Sequence, residues 1–226
     1  MRRLLARAGG RAEYVAPPVL RGGLVARLAG TIIGYALLAL GVAVQVQAHA
    51  GLAPWDAFHQ GVAEQLGWSF GVAVAVVGGA VILLAWALGA RPTPFTIANM
   101  VAVALLIDLF LRVVPSAEAL PLALRLAQML GGMAVVGTGF ALYVAAGLGP
   151  GPRDGLMLVV ARRSGVRIGI TRNAIEAVVL AGGVLLGGAA GVGTVLGVVL
   201  VGPASEGGFR LLVLARLARP AAALVA

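Results

Sequence analysis

Residues 51–56 read GLAPWD, and residues 149–154 read GPGPRD. Gly149 lies 98 residues after Gly51, and the same interval separates Pro54 from Pro152 and Asp56 from Asp154. The match extends outward without a gap. Arg27–Asp56, RLAGTIIGYALLALGVAVQVQAHAGLAPWD, lies over Arg125–Asp154, RLAQMLGGMAVVGTGFALYVAAGLGPGPRD. Beyond the aspartates, Gly67 and Gly71 fall on Gly165 and Gly169, Leu88-Gly89 on Leu186-Gly187, Thr96 on Thr194, and Asp108 on Glu206. About a quarter of the positions from Arg27 to Asp108 are identical, the mark of an internal repeat. A bias towards Ala, Gly and Val raises chance matches, but it does not align "RLA", a proline and an aspartate.

The chain around the repeat is oily. Of 226 residues, 61% are hydrophobic and 11% charged, against roughly 45–50% and 25% in soluble domains. The composition and the long apolar runs predict an all-α integral membrane protein. Six spans are expected, over about residues 28–48, 69–89, 94–114, 122–146, 168–187 and 190–211. The net charge of +9 comes from arginine alone. Arginines crowd ahead of the first span, between the fourth and fifth, and after the sixth, while residues 49–68 contain none. By the positive-inside rule, both termini are cytoplasmic. Arg112 and Arg125 fit this scheme least well and are read as snorkelling from helix ends.

Each copy holds three spans, an odd number, so the second enters the membrane from the opposite side. The expected fold is therefore a 3+3 inverted repeat. Residues 27–115 form the first repeat and 122–211 the second, between a cytoplasmic Arg-rich segment, 1–26, and a cytoplasmic tail, 212–226. After each motif come about 11 residues that are helical in pattern but only ~16 Å long, too short to cross a ~30 Å core. Each is either an interfacial helix or a re-entrant half-helix. Pro54 and Pro152 suit the first helical position. Asp56 and Asp154 then sit in the first turn, where a carboxylate can satisfy N–H groups and meet the dipole. The preceding glycines permit the bend.

The motif pair AHAGLAPWD (48–56) and AGLGPGPRD (146–154) resembles the signatures of the YczE/YyaS/YitT-like family of bacterial integral membrane proteins, its YczE members above all. The resemblance runs from about Arg27 to about Gly208, with Ala53 standing where a glycine is expected. It implies a multi-pass protein of the bacterial cytoplasmic membrane and names no substrate.

The candidate site comprises Pro54, Trp55, Asp56, Pro152, Arg153, Asp154, Asn99, Asp108 and Glu206. Two symmetry-related half-helices would aim their N-termini at one centre. Asp108 and Glu206 are acids late in the third and sixth spans, where acids face a cavity or a partner unless they sit at headgroup level. Trp55 reads as an interfacial belt residue, and Gln45, Gln47 and His49 as a polar fringe ending the first span. Arg172 and Glu176, four apart, are expected to pair.

Other classes are disfavoured. No basic patch is interleaved with aromatics for nucleic acid. There is no cysteine, the two histidines lack metal-ligand spacing, and no nucleophile elbow occurs, so neither an enzyme nor a metal or other cofactor is expected. The expected partners are the bilayer and an unknown small solute. Small-residue runs such as AGGVLLGGAAGVG (181–193) allow close helix packing, within the chain or in a homo-oligomer. The leading expectation is a small-solute transporter; the alternative is a non-transporting accessory or regulatory protein.

Overall fold

The computed structural model describes residues 7–8, 11–12, 17–166 and 168–220, so parts of segment 1–26 and of the tail lie outside the described residues. Two small antiparallel pairs supplement the helices. β1 (Arg7–Ala8) pairs with β2 (Arg11–Ala12), and β3 (Val19–Leu20) pairs with β4 (Ala218–Arg219). The second pair ties the segment before α1 to the segment after α8, with Leu20 packed on the cluster around Phe209 and Leu212.

The helices are α1 (Leu24–Gln47), α2 (Pro54–Leu66), α3 (Phe70–Ala87), α4 (Pro94–Leu111), α5 (Leu122–Ala146), α6 (Pro152–Ser164), α7 (Ile168–Leu185) and α8 (Val192–Leu214). The start of each helix from α5 to α8 follows that of its counterpart from α1 to α4 by 98 residues. Both short helices have 13 residues. Among the described residues, α1, α3, α4, α5 and α8 are long and apolar enough to cross a membrane. The fifth expected span, 168–187, coincides with α7, which is as long as α3 but carries Arg172 and Glu176.

α1 and α5 pack against one another in opposite directions through glycines. A Cβ on Gly34 would lie 2.9 Å from the carbonyl oxygen of Gly139, and one on Gly41 would lie 2.7 Å from that of Gly132. Gly34 and Gly132 occupy matching positions of the repeat, as do Gly41 and Gly139. The backbones touch where no side chain intervenes, the usual way for helices in lipid to gain dispersion contact.

Both ends of this crossing are closed in the same manner. Arg27 Nε donates to the Ala146 carbonyl at 2.5 Å, and Arg125 Nε donates to the Ala48 carbonyl at 3.1 Å. The last carbonyls of a helix lack intrahelical partners and carry the negative end of its dipole, so an arginine there is favourable. This corrects the reading of Arg125 as a snorkelling side chain and explains the repeated "RLA".

The short helices cross between the halves. α2 packs on α7 through Gly61, Gly183 and Gly188: a Cβ on Gly183 would lie 2.7 Å from the backbone nitrogen of Phe58. α6 packs on α3, joining Val81 and Ala85 to Leu156 and Val159. The turn before α2 docks on the start of α8, where Gly193 N donates to the Ala50 carbonyl at 2.8 Å. The turn before α6 docks on the start of α4, where Thr96 Oγ1 donates to the Pro150 carbonyl at 2.9 Å. Gly51, with φ +100°, makes its bend as expected. Gly147, φ +64°, is left-handed like its match His49, φ +49°, whereas Gly149, the match of Gly51, has no positive φ and is required by its close approach to Thr93.

Gly139→Ala, which puts a methyl into the α1–α5 contact, is expected to cost about 1–3 kcal/mol, the usual range for overpacking. Gly131→Ala and Gly155→Ala add a Cβ with nothing within 4 Å and serve as controls. Thermal unfolding in detergent should show a lowered midpoint for Gly139→Ala alone.

Candidate functional site

Because each short helix crosses to the opposite half, the two proline-aspartate motifs meet. Pro54 and Pro152 stand at the first position of their helices, preceded by extended residues Ala53 and Gly151. Neither helix has a side-chain cap, so the expected capping by Asp56 and Asp154 is corrected. Both carboxylates lie in the first turn, within reach of the dipole, but each is turned to a tertiary partner.

Asp56 is buried and faces Arg153 of the other motif. Arg153 Nη2 donates to Asp56 Oδ1 at 3.4 Å and to His59 Nδ1 at 3.3 Å. Since arginine only donates, this contact makes Nδ1 the acceptor and leaves the imidazole proton on Nε2. The His59 side chain is 2% exposed, one turn from Asp56 and edge-on to Phe70. The Arg153 guanidinium also lies 5.1 Å from the Trp55 ring centroid, in cation–π range. Trp55 and Arg153 are matching positions of the repeat. Trp55 is therefore no interfacial belt residue: it is 8% exposed, beneath the arginine.

Asp154 accepts from Tyr143 Oη at 2.8 Å. Tyr143 matches Gln45 in the repeat and stacks edge-on with Phe140. Arg172 Nε donates to Glu176 Oε1 at 2.7 Å, the i,i+4 pair expected on α7.

These groups line a cavity of about 190 Å³ enclosed by both halves, far above the roughly 10–15 Å³ that one water needs. Its apolar walls include Val42, Val77, Val103, Met100 and Met157. Gln45, Asn99 and Ser205 add to the polar lining. Gln45 is 2% exposed, so its place in an interfacial fringe is corrected. Among the described buried side chains, Gln45 Oε1 and Asn99 Nδ2 have no hydrogen-bond partner. A buried polar atom left unpaired costs about 1–3 kcal/mol, so two on one cavity wall mark a place for a polar occupant. Gln47 and His49 stay outside the cavity, bonded to the Leu111 carbonyl at 3.0 Å and Ser116 Oγ at 3.1 Å.

The model of a family of unknown function, DUF6198, matches residues 25–206. The chain belongs to that family. It is similar to a Bacillus subtilis protein described as "uncharacterized membrane protein YczE", 32% identical over 79% of this chain and 83% of the relative. An uncharacterized Haemophilus influenzae protein is 34% identical over 82% and 84%, and YyaS of Bacillus subtilis 29% identical over 75% and 86%. No solved structure matches the chain. Family membership and the long apolar helices make this a membrane protein.

Of the nine sequence candidates, Pro54, Trp55, Asp56, Asn99, Pro152, Arg153 and Asp154 gather at the cavity. Asp108 and Glu206 do not. Asp108 accepts from Gly71 N at 2.7 Å and from the Ser69 hydroxyl, holding the start of α3. Glu206 is exposed on α8, with a side chain 55% accessible and Arg210 3.9 Å away. Sequence reading missed His59 and Tyr143. The signal for His59 was its i,i+3 spacing from Asp56; that for Tyr143 was its match to Gln45.

A double-mutant cycle on Asp56→Asn and Arg153→Gln, read by thermal unfolding in detergent, is expected to show coupling of about 0.5–3 kcal/mol between the two motifs. Arg153 is too exposed, at 40% of its side chain, for the upper end of that range.

Proposed function

We propose that the chain is an inverted membrane repeat that moves a small solute through the cavity between its halves. The observation that carries this reading is the cavity itself. It lies where two short helices start, and its walls hold charged groups and two unpartnered buried amides. Helix starts converging on a polar centre between repeats are the usual architecture of secondary transporters. The antiparallel α1–α5 contact and the reciprocal packing of α2 on α7 and α6 on α3 support the inverted sense.

In this reading α7 is the fifth of six spans, ~27 Å long at 1.5 Å per residue, with its Arg172–Glu176 pair turned to the cavity rather than to lipid. α2 and α6 are re-entrant half-helices, since much of α2 is buried in protein. The pairing of residues 19–20 with 218–219, which brings both ends of the bundle to one face, supports reading that face as the arginine-rich cytoplasmic side of a cytoplasmic membrane.

The chain has no cysteine, so single cysteines report cavity access without background. Ser205 and Met157 line the cavity. In sealed vesicles, Ser205→Cys and Met157→Cys should react with a membrane-impermeant thiol reagent added from either side. Reaction from neither side would favour the accessory-protein reading and contradict transport.

A further inference from the structure

The cavity holds three carboxylates and two guanidiniums, and their pairing is uneven. Asp56 is engaged by Arg153 at 3.4 Å, and Glu176 by Arg172 at 2.7 Å. Among the described residues, no arginine or histidine lies within ion-pair distance of Asp154, which has only the Tyr143 hydroxyl. The side chains alone therefore sum to one negative charge, with His59 neutral. The N-termini of α2 and α6 each add roughly half a positive charge, which returns the local total to about zero. A net cation or net anion would upset that balance. A molecule with both charges would not.

The two poles are distinct. At the negative pole, a Cβ on Gly151 would lie 3.2 Å from Tyr143 Oη, 3.3 Å from Asp154 Oδ2 and 3.4 Å from Asn99 Oδ1. Three oxygens thus surround a position that this half leaves as glycine, where the other half has Ala53. At the positive pole, Arg153 keeps 40% of its side chain exposed in spite of Asp56, His59 and Trp55. The unpartnered groups also ask for both kinds of hydrogen bond. Asn99, 8% exposed, offers the Nδ2 donor; Gln45, 2% exposed, offers the Oε1 acceptor. The intervening wall is aliphatic, with Val103, Met100 and Met157.

We infer that the cavity binds a small aliphatic zwitterion, its ammonium at Asp154, Tyr143 and Asn99 and its carboxylate at Arg153. The inference rests on the transport reading for the solute's passage, but binding is measurable without transport.

Four five-carbon probes separate the possibilities: norvaline, with adjacent charges; 5-aminopentanoate, with charges at opposite ends; pentylamine; and pentanoate. Calorimetric titration of the purified full chain in detergent should show one of the two zwitterions binding at least about ten-fold more tightly than pentylamine and pentanoate, a difference of roughly 1.4 kcal/mol. Asp154→Asn and, separately, Asn99→Leu should each weaken that binding about ten-fold or more. If neither zwitterion binds, or if pentylamine or pentanoate binds as tightly, the inference is wrong. That comparison uses the unaltered protein, so it decides the matter even where a variant does not fold. A cavity open to thiol reagents from both sides but blind to zwitterions would sink this inference alone. Zwitterion binding in a cavity reached from neither side would sink the transport reading alone.

Discussion

The crossing of α1 and α5 is the contact on which the other placements depend. Gly34, Gly41, Gly132 and Gly139 bring two backbones within touching distance, and Arg27 and Arg125 close the two ends on the opposing helix termini. In lipid there is little hydrophobic gain from bringing two apolar helices together, so dispersion between close backbones must hold them. Each half then reaches past this seam: α2 lies on α7, and α6 lies on α3. Each short helix packs more extensively on the other half than on its own. The interleaving is what brings residues 54–56 and 152–154 into one cavity.

The site arises where the repeat departs from symmetry. At one matching pair the halves carry Trp55 and Arg153; at another, Gln45 and Tyr143. Arg153 can neutralise Asp56, whereas Trp55 cannot return the favour to Asp154. Tyr143 can donate to Asp154, and Gln45 leaves its Oε1 unpartnered. The scaffold residues, by contrast, are the ones that match: the seam glycines, the "RLA" arginines, and the prolines that start α2 and α6. Divergence at the centre of a conserved geometry gives the cavity poles of opposite sign.

Much of this was legible in the sequence because it rests on local chemistry. Proline followed by aspartate after a glycine turn marks a helix start in any context, and both starts are where the pattern placed them. The 98-residue interval in the sequence is also the interval between matching helix starts. What escaped was tertiary. Asp108 looked like a buried functional acid because a carboxylate near membrane depth is costly, but the Ser69 hydroxyl and Gly71 N–H that satisfy it come from another helix. Glu206 matched Asp108 by alignment only, and its side chain points outward. Trp55 looked interfacial because tryptophan in a loop commonly is; nothing local announced that Arg153 would cover it. Gln45 looked like a fringe because its burial comes from packing between helices rather than from its neighbours in sequence.

The central claim is that the two halves sit in the membrane in opposite senses about the α1–α5 seam. Trp68 and Val166, at matching positions after the short helices, are both exposed, at 40% and 42%. Single cysteines at these two positions of the cysteine-free chain can be labelled in intact cells with a membrane-impermeant thiol reagent, before and after the membrane is opened. The account predicts that Trp68→Cys reacts from outside in intact cells and that Val166→Cys reacts only once the membrane is opened. Reaction of both from the same side would contradict it.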